Sequence, residues 1–580
     1  MTLKPTWAWG GVFSARAAGD RPVRGNGSAL TTFPASRHPA PLMNDLHYFR
    51  PDWVEPSDET IAADVCVYGG TAAGVIAAAK AARLGLHAVL LHPGKFLGGM
   101  TTGGLGHTDF GKKHTIGGMA REVYRRIGRA YGLEEEMCFE PSKAQQVIDE
   151  IASEIGGGNV RLCQYLDGVT LGGDGRIEAL HMIGGLSVRS RVFIDATYEG
   201  DLLAAARVDF TVGREDNETY GETLNGTQID KKHQFVPARI SPFVVPGQPS
   251  SGLLPGIDPG DAHRRVGRAD HRVQAYNFRV CMTDDPSLRI DWVRPDGYDP
   301  RCFELAVRWF AQTEKDAFND FFRYPRRLGV GADNPPRKFD VFPCRTADGF
   351  GKTDTNNHGP VSSDFIGASY AWPTADYAHR ERIFQAHVRY QRGLYWTLAN
   401  DPRVPDEYHQ AVSVWGLARD EFVETENWPH QLYVREGRRL VGDHVVTEHD
   451  CRATRVADDS VGLGSYTMDS HNCSRFVCPT TEGPVVMNEG DVQVPPTDPY
   501  PISYRCVVPK RGQCPNLFVP VCISASHIAF GSARMEPVFM VLGESVACAA
   551  SLAVRDGVAV QEVDYDKCRA MLVDAGQVLF

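Results

Sequence analysis

The stretch DVCVYGGTAAGVIAAAKAARLGLHAVLLHPGKFLGGM, Asp64 to Met100, constrains the fold more than any other part of the chain. ADVCVY mixes β-branched and small apolar residues, as a strand buried on both faces does. Gly69 then allows a tight turn, and Ala72 to Leu84 reads as an alanine-rich helix able to pack closely on a sheet. HAVLL is the second strand. Thr71 stands where a G-x-G-x-x-G turn has its second glycine, and Gly74 holds the third place. Strand, turn, helix and strand together predict a dinucleotide unit, with pyrophosphate on the free N–H groups of the helix start. Gly69, Gly70, Thr71, Ala72, Ala73 and Gly74 are the predicted cradle.

At the end of the second strand, where an acid usually bonds the ribose, the chain has His92. A neutral imidazole accepts one hydrogen bond and cannot clamp a diol with two oxygens. Six glycines then crowd GKFLGGMTTGGLG, Gly94 to Gly106. They permit close backbone approach to a flat ligand, which a simple NAD unit does not need. Gly98, Gly99, Met100, Thr101 and Gly104 are the expected flavin contacts. No second dinucleotide turn follows, since GLGSYT at Gly462 lacks a third glycine and a helix.

The bulk properties narrow the class. The 580 residues carry a formal charge of -11 and are 42% hydrophobic. A mildly acidic chain of this size argues for a large core and against nucleic-acid or anionic-membrane binding. The apolar run Val538 to Val554 is broken by Glu544 and reads as a buried helix. The 14 cysteines include no C-x-x-C pair. They read as scattered thiols in a reducing, cytoplasmic setting, with neither metal ligands nor a disulfide framework. The first 42 residues hold Lys4, Arg16, Arg21, Arg24 and Arg37 against one acid, Asp20. That bias fits an organelle transit peptide; the reading favoured is a disordered extension, or an over-extended frame with Met43 as the start.

The expected organisation follows. Residues 1–60 form a disordered extension, with ordered structure from about Ala62. Residues 61–215 form the first part of the nucleotide domain, 216–500 an inserted α+β substrate domain, and 501–580 a return to the nucleotide domain. The fold class is α/β, a doubly wound Rossmann-like domain built from both chain ends.

At this point a resemblance becomes specific. YGGTAAG, LGGMTTGGLG, FIDATYEGDLLAAA, SSGLLPGI, QAYNFRVCMT, NNHGPVSSDFIG, LYVREGRRLVGD, GLGSYTMDSHN and SASHIAFGSARMEPVFMVLGESVA are similar, in content and order, to the FAD-dependent oxidoreductase family of glutathione-reductase-like flavoproteins. Some of its members carry the label "xanthan lyase". The resemblance implies FAD, a nucleotide domain and a mixed-sheet substrate domain, and leaves the substrate open. It places Asp195 and Asp201 near the ribose and pyrophosphate. It places Gly531, Ser532, Arg534 and Gly543 at the last turn and helix, beside the flavin. No histidine lies within Phe96 to Leu105, so non-covalent FAD is expected, with His107 the nearest exception.

An alcohol donating hydride to flavin N5 needs a base, a task suited to histidine. Of 19 histidines, three sit in polar irregular stretches: His358 in NNHGP, His471 in DSHN and His527 in SASH. Asn356, Asn357 and Asn472 could orient the same oxygen. Arg435 and Arg439, four apart, would share a helix face and could hold a carboxylate, unless Glu436 and Asp443 satisfy them. The leading expectation is an FAD-dependent oxidoreductase acting on a sugar, polyol or hydroxylated metabolite, with an unassigned electron acceptor. Amine or C–C oxidation, or chemistry on an arginine-held carboxylate, is the second reading. A non-redox polysaccharide lyase is the remote third.

Overall fold

The computed structural model describes residues 45–580 apart from 231, 237, 261, 263, 264, 313–341, 343–349 and 358. Strand β1 (Thr60–Tyr68) leads through the glycine turn into helix α1 (Ala72–Arg83) and strand β2 (Ala88–Leu91). β3 (Val160–Arg161), β4 (Leu166–Leu171), β5 (Ile177–Met182) and β6 (Ser187–Asp195) complete a sheet of order β3-β2-β1-β6-β5-β4. β1 runs parallel to β2 and β6, and β2 parallel to β3. β4, β5 and β6 form an antiparallel ribbon. The C-terminal strand Leu517–Phe518 returns to pair in parallel with Phe193 and Ile194 of β6. This is the Rossmann-like α/β arrangement, with strands from both ends of the chain.

β1 shows why the strand reads as continuously apolar. Val65 and Val67 pack towards α1 and the long helix Glu536–Asp556, while Cys66 and Tyr68 pack on the opposite face against Leu166, Leu180 and Leu203. Both faces are covered, so a period-2 strand needs apolar residues at every position. Helix Glu536–Asp556 crosses α1 at Gly543, where an added Cβ would lie 2.4 Å from the Ala73 carbonyl oxygen. Gly543 is therefore a helix-crossing residue rather than a cofactor contact. Among the described residues this is the one helix long and apolar enough to cross a membrane, and 94% of its apolar window is buried within the protein.

Ordered structure starts earlier than the sequence predicted. Leu46 is fully buried, and the Glu381 carboxylate accepts the backbone N–H groups of Tyr48 and Phe49. Tyr48 packs edge-on to Trp372. The segment after β6 contributes a four-stranded antiparallel sheet (Lys352–Asp354, Cys281–Thr283, Gly416–Ala418 and Arg289–Ile290, in that order) and the long helix Tyr377–Asn400. The described residues fall in one compact unit.

Candidate functional site

The glycine turn is built as a nucleotide cradle. Gly69 has φ +108°, and a Cβ there would meet the Ala196 backbone at 2.6 Å. The Thr71 hydroxyl donates to the Ala196 carbonyl at 2.7 Å and accepts the Gly74 N–H at 3.3 Å, capping α1. Thr71 thus replaces a glycine with a residue that fixes the helix start, whose remaining first-turn N–H groups suit a phosphate. His92 is not a ribose ligand. Its Nδ1 accepts the Gly70 N–H at 2.9 Å, and burial pulls its pKa down to about 4, so it is a neutral brace for the turn.

A cavity opens beside this turn, lined by Gly69, Thr71, His92, Lys95, Tyr198 and Glu199, among others. The two aspartates expected there are consumed elsewhere. Asp195 accepts from the Thr197 N–H and hydroxyl and from the Leu203 N–H, closing its own loop. Asp201 binds Arg380 through both oxygens (2.6 and 2.8 Å) and Arg438 at 2.8 Å. Glu199, between them, lines the cavity; Trp372 Nε1 donates to it at 3.3 Å, and burial raises its carboxyl to about 7. It is the carboxylate that could take over the ribose role that His92 cannot fill. Glu199→Gln should weaken FAD binding by about tenfold, roughly 1.4 kcal/mol. Titration of apoprotein with FAD checks this; an unchanged Kd would remove Glu199 from the cofactor site.

Tyr198 also lines a second cavity, with Tyr433, Arg435, Arg534, Glu536 and Phe539. Its hydroxyl accepts the Met100 N–H at 2.9 Å and donates to Glu536 at 2.6 Å, and the Thr101 hydroxyl donates to the other Glu536 oxygen at 2.7 Å. The glycine loop 98–106 is thereby tied to the start of the last long helix. Burial raises the Glu536 carboxyl to about 7. Neither Tyr198 nor Glu536 was foreseen, because they meet only through tertiary contact. The predicted Gly531 and Ser532 lie inside helix His527–Ala533: Gly531 packs on the Asp469 carbonyl, and the Ser532 hydroxyl donates to the Tyr466 carbonyl. Arg534 donates to the carbonyls of Arg435 and Asp469, leaving its buried Nε without a partner.

Arg435 and Arg439 do not share a helix face. Residues 431–438 form no helix, and Arg439 begins a two-residue strand. Arg435 donates to Asp364 at 2.9 Å, Asn277 at 3.0 Å and Asn356 at 3.3 Å. Arg439 donates to Glu215 at 2.6 Å and Glu436 at 3.2 Å. Asp443 takes no part in either set. Both guanidiniums are buried and paired, so the predicted carboxylate clamp is not formed.

His471 stands between two carboxylates: Nδ1 is 2.8 Å from Asp364 and Nε2 is 3.3 Å from Asp469. Burial alone would raise the Asp364 carboxyl, but Arg435 and His471 hold it down at about 2. Asn472 Oδ1 and Gln274 Nε2, beside His471, are buried without partners. Asn357 is buried in the same segment as Asn356. His527 is placed for structure: Nδ1 meets Glu436 at 2.8 Å and Nε2 meets the Ser470 hydroxyl at 3.1 Å. His358 lies outside the described residues.

A second histidine–carboxylate pair lies just past the glycine loop. His107 Nδ1 is 2.5 Å from Asp354, whose other oxygen accepts Arg279 Nη2 at 2.5 Å. Sequence periodicity could have found Arg279: in QAYNFRV, Tyr276, Phe278 and Val280 share one face and Asn277 and Arg279 the other. The acidic group Glu140, Asp420 and Glu421 has metal-like spacing, but Lys352 Nζ sits among its oxygens at 2.7, 2.7 and 3.0 Å and satisfies them.

The family model described as FAD dependent oxidoreductase matches residues 64–572. No curated protein matches the chain. Among solved structures it is similar to L-proline dehydrogenase from P. horikoshii, at 13% identity over 27% of this chain and 59% of that one, with a TM-score of 0.21. It is also similar to THI4 of Thermovibrio ammonificans (17% identity, 27% and 67% covered, TM-score 0.21). A third is a 3-ketosteroid-delta4-(5alpha)-dehydrogenase from Rhodococcus jostii (15%, 25% and 48%, TM-score 0.18). This chain spans 59% of the length of the first of these, and likenesses so partial carry no argument about its chemistry.

Proposed function

Since the chain belongs to the FAD dependent oxidoreductase family, we propose that it oxidises a hydroxylated small molecule, passing hydride to bound FAD and a proton to a histidine held on a buried carboxylate. The protein is a redox flavoenzyme with FAD as its cofactor; the substrate class and the hydride step are the proposal. One observation carries it. The fold buries two histidine–carboxylate pairs: His107–Asp354 with Arg279, just past the glycine loop, and His471–Asp364 with Arg435, Asn277 and Asn356. A histidine oriented by a carboxylate is the arrangement a general base requires. A wall so polar suits a substrate rich in oxygen.

Bound FAD supplies the two-electron acceptor. The chain's residues have the other tasks: the α1 start and Glu199 hold the nucleotide, Tyr198 and Glu536 fix the glycine loop, and Arg279 and Asn472, whose buried polar atoms lack partners, orient the substrate. The test is a single anaerobic turnover followed by trapping of carbonyl product with a hydrazine. The reading expects one carbonyl for each flavin reduced. Bleaching without carbonyl would point to the amine or C–C alternatives.

A further inference from the structure

We propose that Arg279, His107 and Asp354 form a subsite for a 2-hydroxy carboxylate, with the carboxylate on Arg279 and the hydroxyl on His107 Nε2. This rests on the oxidative reading above and names its substrate class. The three side chains are buried, at 0%, 4% and 1% exposure respectively. Asp354 is fully used: Oδ1 by His107 Nδ1, and Oδ2 by Arg279 Nη2 and the His107 backbone N–H. Three atoms remain buried without partners: Arg279 Nε, Arg279 Nη1 and His107 Nε2. A buried guanidinium with unmet N–H groups is costly unless acceptors complete it, and a carboxylate does so with charge. Arg435 and Arg439, by contrast, are already paired with Asp364, Glu215 and Glu436.

The tautomer decides the second half. Asp354, kept ionised by Arg279 despite its burial, is an acceptor only, so the hydrogen bond places a proton on His107 Nδ1, and in that tautomer of the imidazole Nε2 is an acceptor. Asp354 therefore holds His107 on one oxygen and Arg279 on the other, each with buried nitrogens left unpartnered. Donors for a carboxylate next to an acceptor for a hydroxyl match the two groups of a 2-hydroxy acid. The site also adjoins the glycine loop: a Cβ on Gly104 would lie 2.0 Å from the Arg279 carbonyl oxygen, and His107 follows three residues later. Phe342 closes one side of the His107 ring at 5.1 Å between centroids. Asp109, also near Arg279, accepts the Tyr466 hydroxyl at 2.9 Å.

In the step implied, the substrate O–H proton moves to His107 Nε2, and Asp354 stabilises the imidazolium. The C2–H bond breaks with its electron pair passing to bound FAD, the oxidant. A C=O bond forms at C2, giving the 2-oxo acid.

The test uses the holoenzyme and oxalate, a carboxylate that cannot be dehydrogenated, read as a perturbation of the flavin spectrum. A panel of 2-hydroxy acids and neutral polyols is then tested for anaerobic bleaching. The expected result is oxalate binding that weakens at least tenfold in Arg279→Gln at unchanged FAD content. Arg279→Lys, which keeps the charge without the fork, should lie between and serves if the glutamine variant does not fold. His107→Gln should keep oxalate binding but slow bleaching by about 100-fold or more. Oxalate binding equal in wild type and Arg279→Gln would overturn the subsite, as would loss of FAD in the Arg279 variants, which would assign Arg279 to the cofactor. Bleaching by polyols alone would overturn it while leaving the oxidative reading intact. Arg279-dependent oxalate binding with no bleaching would support the carboxylate half and reject the oxidation.

Discussion

Gly74→Ala should purify without FAD. The added Cβ would lie 1.9 Å from the Gly69 carbonyl oxygen, a backbone atom of the turn that the nucleotide must straddle. Neither partner can rotate away, so α1 must lift from β1 or the turn must open. Overpacking of this kind costs about 1–3 kcal/mol, and a rigid backbone neighbour puts this case at the upper end. The same shift moves the helix start away from the pyrophosphate, so FAD affinity should fall at least tenfold, about 1.4 kcal/mol or more. Flavin absorbance per protein and a thermal melt read both effects. A Gly74→Ala protein with full flavin would mean that the cradle lies elsewhere.

The second large effect is expected at Asp364. Its carboxylate joins Arg435 at 2.9 Å and His471 at 2.8 Å, with both the Arg435 and Asp364 side chains almost completely buried. Asp364→Ala would leave an unpaired guanidinium in the interior, at a cost of about 3–5 kcal/mol. Asp364→Asn keeps the shape and an acceptor for Arg435, so it should recover part of that loss. Urea midpoints of the two variants measure the difference. Equal stability of wild type and Asp364→Ala would show that the Arg435 network contributes little to the fold.

The nucleotide unit was legible because its signals are local. The apolar run of β1, the Gly69–Gly74 turn and the alanine face of α1 span only 24 residues, from Thr60 to Arg83, before β2 closes the unit. Side-chain allegiance in the site is not local. His471 meets Asp364 across 107 positions, and His107 meets Asp354 across 247. In DATYEGD the sequence pointed to Asp195 and Asp201 and passed over Glu199; Asp201 is taken by Arg380 and Arg438, 179 and 237 residues away, and Glu199 is left to line the cavity. The same limit misplaced Arg435 and Arg439. Their four-residue spacing suggested a helix, but the segment is irregular, and Arg439 pairs as a strand with Thr211.

The most direct test of the account is the visible spectrum of the purified protein under nitrogen, before and after addition of hydroxylated compounds that include 2-hydroxy acids. The account predicts flavin bands that bleach with at least one of them and return on exposure to an acceptor. A flavin that none of them reduces would contradict the proposed oxidation.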